Sequence, residues 1–165
     1  MVVTRHPYDV PGWGLGEVWA RDGVVVAHEL ACNALRGTAA DPGLAPRASS
    51  GIVPDLCRRI ACHLTGTRTS YDEIVIDLDW ATPLQRELAL AARAIPWGEV
   101  VSYGELAALA GRPGAARAAG SFCADNRYSL IIPCHRVVAA RGIGGYGAAG
   151  PALKRRLLAV EGLYL

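Results

Sequence analysis

Two capping boxes fix where helices begin in the second half of this chain. In Thr82-Pro83-Leu84-Gln85 the threonine caps, the proline takes the first helical position, and the glutamine reaches back to the cap. Leu84, Leu88, Ala91 and Ile95 then make an apolar stripe until Pro96-Trp97-Gly98 stops the helix. Ser102-Tyr103-Gly104-Glu105 is a second box and opens a helix reaching Ala110. Gly111-Arg112-Pro113-Gly114 breaks that helix, and Ala115-Ala116-Arg117-Ala118-Ala119-Gly120 forms a short one of small residues. Two short helices around a glycine turn predict a helix-turn-helix. Small side chains let a backbone come very close to another surface. A nucleic-acid groove and a tight core, with Arg117 at its rim, fit that pattern equally.

The first half reads differently. Val18-Trp19-Ala20 and Val24-Val25-Val26-Ala27 flank Arg21-Asp22-Gly23, a hairpin signal. Residues 37–51 are rich in Gly, Pro, Ala and Ser and predict a loop. A helix is expected from near Pro54, with Leu56, Ile60 and Leu64 on one face. Ile74, Ile76 and Leu78 alternate with Val75, Asp77 and Asp79, which predicts a strand with one wet face. The fold class is therefore α+β. A small amino-terminal domain with an antiparallel sheet occupies residues 1–80, and a helical, helix-turn-helix (winged-helix-like) domain occupies 81–165. A chain of 165 residues is long enough for this division.

Composition narrows the function. The chain is 52% hydrophobic and 19% charged, too apolar for intrinsic disorder. It has no run of about 18 uninterrupted apolar residues, so no membrane partner is expected. Its opening residues show no signal peptide. Five cysteines are an odd count and suggest free thiols in a reducing, cytoplasmic setting. Charge is uneven. Residues 1–81 carry seven Arg and ten Asp/Glu, a balance of 7 − 10 = −3. Residues 82–165 carry nine Arg and one Lys against five Asp/Glu, a balance of 10 − 5 = +5. A basic second half makes an anionic partner, nucleic acid first, the leading candidate.

Chemistry concentrates at Ile131-Ile132-Pro133-Cys134-His135-Arg136-Val137-Val138. A buried apolar strand is expected to end in Pro-Cys-His-Arg and then resume, because proline lacks a backbone donor. A thiol beside an imidazole and a guanidinium has reason to ionise, since nearby positive charge lowers its pKa. The alternative, an inert buried cysteine, conflicts with the cost of placing such polar neighbours in an apolar core.

These stretches, in order, resemble the O6-alkylguanine-DNA alkyltransferase family. The resemblance runs through Ile95-Pro96-Trp97-Gly98-Glu99, Ser102 to Ala107, Ala115 to Gly120, Asn126, Pro133 to Val138, Gly145-Tyr146-Gly147, and Lys154 through Leu157-Leu158 to Glu161-Gly162. It covers about residues 82–163; the first half matches only loosely. It implies a DNA repair protein that transfers the alkyl group of O6-alkylguanine irreversibly to its own cysteine after flipping the base. Its partner would be double-stranded DNA carrying that lesion, and the protein would act as a monomer without cofactor or metal.

The resemblance also implies roles. Cys134 would accept the alkyl group, His135 would serve as base through a water, and Glu161 would orient the imidazole. Glu161 follows an amphipathic helix bearing Leu153, Leu157 and Leu158, which would carry it inward. Asn126 would pin the active-site turn, and Tyr103 would protonate or polarise the leaving guanine. Arg117 would fill the stack behind the flipped base, with Ala116, Ser102 and Arg127 also at the DNA. Tyr146, Gly147 and Val137 would wall the base pocket.

Three departures from the family pattern stand out. Arg127 follows Asn126 where proline is usual, adding a charge near phosphate. Ala148-Ala149 replaces glycine, which narrows the expected pocket wall. Trp97 stands where tyrosine is common. Some family members hold zinc in the first domain; here the spacing of His28, Cys32, Cys57, Cys62 and His63 favours scattered core residues. Two other classes fit the sequence less well. An alkyltransferase-like damage sensor lacks the acceptor cysteine that Cys134 supplies. A cysteine hydrolase leaves the helix-turn-helix without purpose.

Overall fold

The computed structural model describes residues 2–32 and 51–165, so the loop expected over 37–51 lies, except for Gly51, outside the described residues. The chain folds as two compact units, Met1–Asp77 and Leu78–Leu165.

In the first unit, β1 (Thr4–Val10), β2 (Gly14–Arg21) and β3 (Val24–Glu29) form an antiparallel sheet in the order β1-β2-β3. Asp22 and Gly23 carry the β2–β3 turn at φ 52° and 81°. Two consecutive positive φ values give the turn whose twist matches a hairpin, which explains the Asp-Gly pair. Helix α1 (Ile52–Leu64) buries Val53, Leu56, Ile60, His63 and Leu64 and lies against β1 and β2. Its buried face is the expected one, though it begins two residues before Pro54. The Trp13 indole donates to the Leu64 carbonyl at 2.9 Å and ties the β1–β2 turn to the helix end.

The strand expected around Ile74–Leu78 is reduced to one bridge, Val25 with Ile76. Val25 donates to Val75 O at 2.9 Å and Asp77 donates to Val25 O at 2.8 Å. The alternation is real, since Ile74 is buried and Val75 exposed. Extended pairing stops there, and Asp77 turns to an ion pair with Arg21 at 2.9 Å.

The second unit contains α2 (Pro83–Arg93), β4 (Val101–Ser102), α3 (Tyr103–Leu109), α4 (Ala116–Ala124), β5 (Val137–Val138) and α5 (Gly150–Val160). Both capping boxes form as drawn from the sequence, with reciprocal bonds at Thr82/Gln85 and Ser102/Glu105. Each satisfies two backbone donors that a helix start leaves free, worth about 1 kcal/mol per cap. The buried face of α2 is Leu88, Ala89 and Ala92, followed by Ile95. Leu84 and Ala91, expected on that face, are only half-buried, so the buried stripe is centred to one side of the expected one, on Ala89 and Ala92. Helices α3 and α4 pack on each other across the glycine turn. The second runs to Ala124, past the expected end at Gly120, and buries Ala119, Phe122 and Cys123. β4 and β5 pair in parallel, Val101 opposite Val137. Among the described residues no helix is long and apolar enough to cross a membrane.

Candidate active site

Cys134 stands in a 3-10 turn, Cys134–Arg136, between Pro133 and β5. The expected strand before Pro133 does not form. Leu130 takes φ 67°, a left-handed backbone that interrupts extended structure, and Pro133 has no N–H to continue a ladder. The loop instead closes on itself, with Ile132 N donating to Tyr128 O at 2.8 Å and Cys134 N to Ile132 O at 2.8 Å. Asn126 braces it from both sides. Its amide donates to Ile132 O at 2.9 Å, and its carbonyl accepts from Tyr128 N at 2.9 Å. One short side chain thus substitutes for a strand partner.

Behind the turn lies a buried charge array. Glu161, capping the end of α5, accepts from His135 Nε2 at 2.7 Å. Arg136 Nε donates to its two oxygens at 3.2 and 3.0 Å, and Arg136 Nη2 donates at 2.9 Å. Gly98 N adds a fourth donor group at 3.0 Å, and Arg136 Nη1 donates to Ile95 O at 2.6 Å. The Glu161 and His135 side chains are fully buried. A carboxylate in this position survives burial because it meets several donors and one full positive charge.

This changes the electrostatic expectation for Cys134. The Arg136 guanidinium faces Glu161, so its charge is spent on the carboxylate rather than on the thiol. Cys134 is itself buried, and its pKa lies well above the ordinary thiol value. A hydrogen bond with the Cys123 thiol is the main cause, followed by burial; Lys154 and Asn126 pull the other way.

The remaining predicted residues divide. Tyr103, at the start of α3, donates to Gly145 O at 3.5 Å, and burial raises its pKa. Tyr146 has its hydroxyl buried, and burial raises its pKa too. Gly147 has φ 51°, and a Cβ there would sit 2.7 Å from Ala124 O, so the loop reaches α4 only because this residue is glycine. The Val137 side chain is wholly in the core. Ser102 spends its hydroxyl on the cap of α3, accepting from Glu105 N at 3.1 Å. Arg117 projects from α4, exposed, with no hydrogen bond or ion pair to any described residue; Ala116 beside it is half-buried. The Arg127 guanidinium lies 4.3 Å over the Trp80 ring, which explains how a charged residue is held after Asn126. Arg112 pairs with Glu87 at 3.1 Å.

In the first unit, His28 Nε2 meets the Tyr8 hydroxyl at 2.6 Å and His63 Nδ1 the Tyr71 hydroxyl at 3.1 Å, which gives both imidazoles polar partners.

Two residues that act on the thiol have no role in the sequence reading: Cys123, and Lys154, which is named only within the matching stretch. The signal for Lys154 was its spacing: Lys154, Leu157, Leu158 and Glu161 share the buried face of α5, whereas Leu153 lies at its edge. Cys123 falls four residues after Ala119 on the buried face of α4.

The second unit thus joins a helix-turn-helix to a buried His135–Glu161 pair beside the Cys134 thiol, the combination found in a family of DNA-binding domains. Residues 83–163 match the family model described as 6-O-methylguanine DNA methyltransferase, DNA binding domain. The methylated-DNA–protein-cysteine methyltransferase of Salmonella typhimurium is 52% identical over 85 residues, covering 51% of this chain and 49% of that protein. The chain thus spans about half the length of that relative. The protein of the same name from Methanothermobacter thermautotrophicus is 33% identical over 151 residues, 92% of this chain and 81% of the relative. The crystal structure of Mycobacterium tuberculosis OGT in complex with DNA superposes with a TM-score of 0.74 at 28% identity, covering 96% of this chain and 92% of that one. The chain belongs to the methylated-DNA–protein-cysteine methyltransferase family.

Proposed function

We propose that this protein repairs O6-alkylguanine in double-stranded DNA by moving the alkyl group onto Cys134. The observation that carries the reading is the buried 2.7 Å bond to Glu161 from His135, which follows Cys134 in the same turn. With Nε2 on the carboxylate, His135 keeps one tautomer and offers Nδ1 to a bridging water, the nucleophile–base–orienter logic. The thiol proton passes to that water and imidazole. Sγ then bonds the alkyl carbon, the carbon–O6 bond breaks, and its electrons leave on guanine. Tyr103 donates a proton to the leaving base and recovers one from solvent. No step regenerates the thiol, so each protein acts once.

The lesion carbon lies inside the duplex, so the base must leave the stack. The small residues of α4 suit a close approach to the minor groove, and exposed Arg117 would fill the gap. The positive charge of the second half supplies phosphate contacts. Action as a monomer at a single lesion, in the cytoplasm with the chromosome, belongs to the same reading.

Incubation with an O6-methylguanine duplex followed by intact mass tests this. One methyl per protein, on the Cys134 peptide, is the expected result. Binding without added mass would mark a damage sensor and overturn the repair reading. Arg117→Ala is expected to slow repair in duplex DNA at least tenfold, about 1.4 kcal/mol of barrier, while leaving reaction with free O6-benzylguanine unchanged. Equal losses on both substrates would make Arg117 structural.

A further inference from the structure

Trp80 is a large aromatic side chain that the chemistry at Cys134, His135 and Glu161 leaves unused. It stands two residues before the Thr82 cap of α2 and is 39% exposed. Two consecutive residues of the active-site loop meet it. The Arg127 guanidinium lies 4.3 Å over its ring, and its indole Nε1 donates to the Tyr128 hydroxyl at 3.4 Å. An indole this open to water gains only part of its hydrophobic transfer energy, so burial alone does not account for the residue.

The two contacts fall on unlike neighbours. Arg127 is exposed and, not being proline, has no ring to fix its φ. Tyr128 is wholly buried and is a hub of the loop. Its N–H donates to Asn126 Oδ1 at 2.9 Å, and its carbonyl accepts from Ile132 N at 2.8 Å. Ile132 O accepts in turn from Asn126 Nδ2 at 2.9 Å and from Cys134 N at 2.8 Å. A chain of contacts thus runs from Trp80 through Tyr128 and Ile132 to the backbone of the nucleophile. Its members other than Trp80 lie within residues 126–134, so those bonds close the loop on itself. Trp80 ties the closed loop to the chain leading into α2. We propose that Trp80 is a positioning residue for alkyl transfer: it grips Arg127 with its ring face and Tyr128 with its N–H, and so fixes the loop that presents Cys134. This rests on the alkyl-transfer reading above and adds a residue to it. A thiol on a looser loop spends less time in line with the alkyl carbon, and a small misplacement of a reacting atom costs much rate. Tyr146 and Gly147 belong to another loop, just before α5, so affinity for the base should be kept.

The test is single-turnover transfer from free O6-benzylguanine, followed against its concentration, with hydrogen exchange on the same proteins. Trp80→Ala is expected to lower the limiting rate about tenfold and to leave the half-saturating concentration within about twofold of the parent's. Exchange in a peptide covering 126–134 should speed up while α5 keeps its parent rate. Trp80→Phe keeps a ring beneath the guanidinium and is expected to recover most of the limiting rate. Arg127→Ala alters an exposed side chain and removes the other half of the stacked pair. The double variant should be slower than Trp80→Ala by less than the factor that Arg127→Ala causes alone. An unchanged limiting rate or unchanged loop exchange in Trp80→Ala, a loss confined to half-saturation, or independent losses in the double variant overturns the proposal. Failure of the parent protein to take up the benzyl group would end the alkyl-transfer reading separately. Loop exchange in Trp80→Ala would then decide by itself whether Trp80 holds the loop.

Discussion

Cys134→Ser is expected to reduce methyl uptake below detection while duplex binding keeps its affinity. A hydroxyl ionises several units above a thiol and is a far poorer nucleophile at neutral pH. The substitution touches neither Arg117 nor the exposed face of α4, so the phosphate contacts stay. Its stability cost should be about 1 kcal/mol, since the new hydroxyl exchanges one weak buried hydrogen bond for another. Intact mass and fluorescence anisotropy on the same preparation give both readouts. Persistent methylation, or loss of binding together with transfer, would contradict the assignment of Cys134 as acceptor. In the parent protein the transfer rate should rise with pH. The Cys134 pKa is raised, so the thiolate is the minor form at neutrality, and each step toward higher pH enlarges it.

What the sequence made legible was whatever depends on local chemistry. The capping boxes at Thr82 and Ser102 and the Asp22-Gly23 turn are decided within four residues, and the structure forms each as read. The array of Cys134, His135 and Glu161 was reachable only through the family resemblance, because a 26-residue separation hides the contact from any local pattern. Three features failed for a shared reason. The Ile74–Leu78 alternation needs a neighbouring strand along its length and finds one bridge. The stretch before Pro133 is apolar enough for a strand but is bent at Leu130 and braced by Asn126. The effect of Arg136 on Cys134 depended on where its guanidinium points, and it points at Glu161. In each case composition supplied the tendency and a partner distant in sequence decided the outcome. Lys154 shows the converse. A lysine on the apolar face of a helix is unusual enough to be noticed from spacing alone, but its neighbours are visible only in three dimensions.

The array also separates stability from chemistry, and Glu161 is where the two meet. Glu161→Ala is expected to lower unfolding free energy by about 3–5 kcal/mol, the cost of leaving a buried charge without its partner. Arg136 would lose three donated bonds at one stroke, and Gly98 N its acceptor. Arg136→Met removes the other half of the pair. It should cost stability too, yet the carboxylate still holds His135 Nε2, so folded protein should still take up methyl. Glu161→Gln keeps the volume but not the charge: its one oxygen can accept from imidazole and guanidinium, but its NH2 then meets Gly98 N and Arg136 Nε as donor against donor, and no negative charge opposes an imidazolium. It should slow transfer strongly even where the fold survives. Combining Glu161→Gln with Arg136→Met should destabilise by less than the sum of the two, because neither leaves the other an uncompensated charge. Chemical denaturation measures the first quantity and timed methyl uptake at a temperature where all variants are folded measures the second. If Arg136→Met and Glu161→Gln lose transfer equally at that temperature, the carboxylate serves only to hold the fold, and its role as the orienter of His135 is lost.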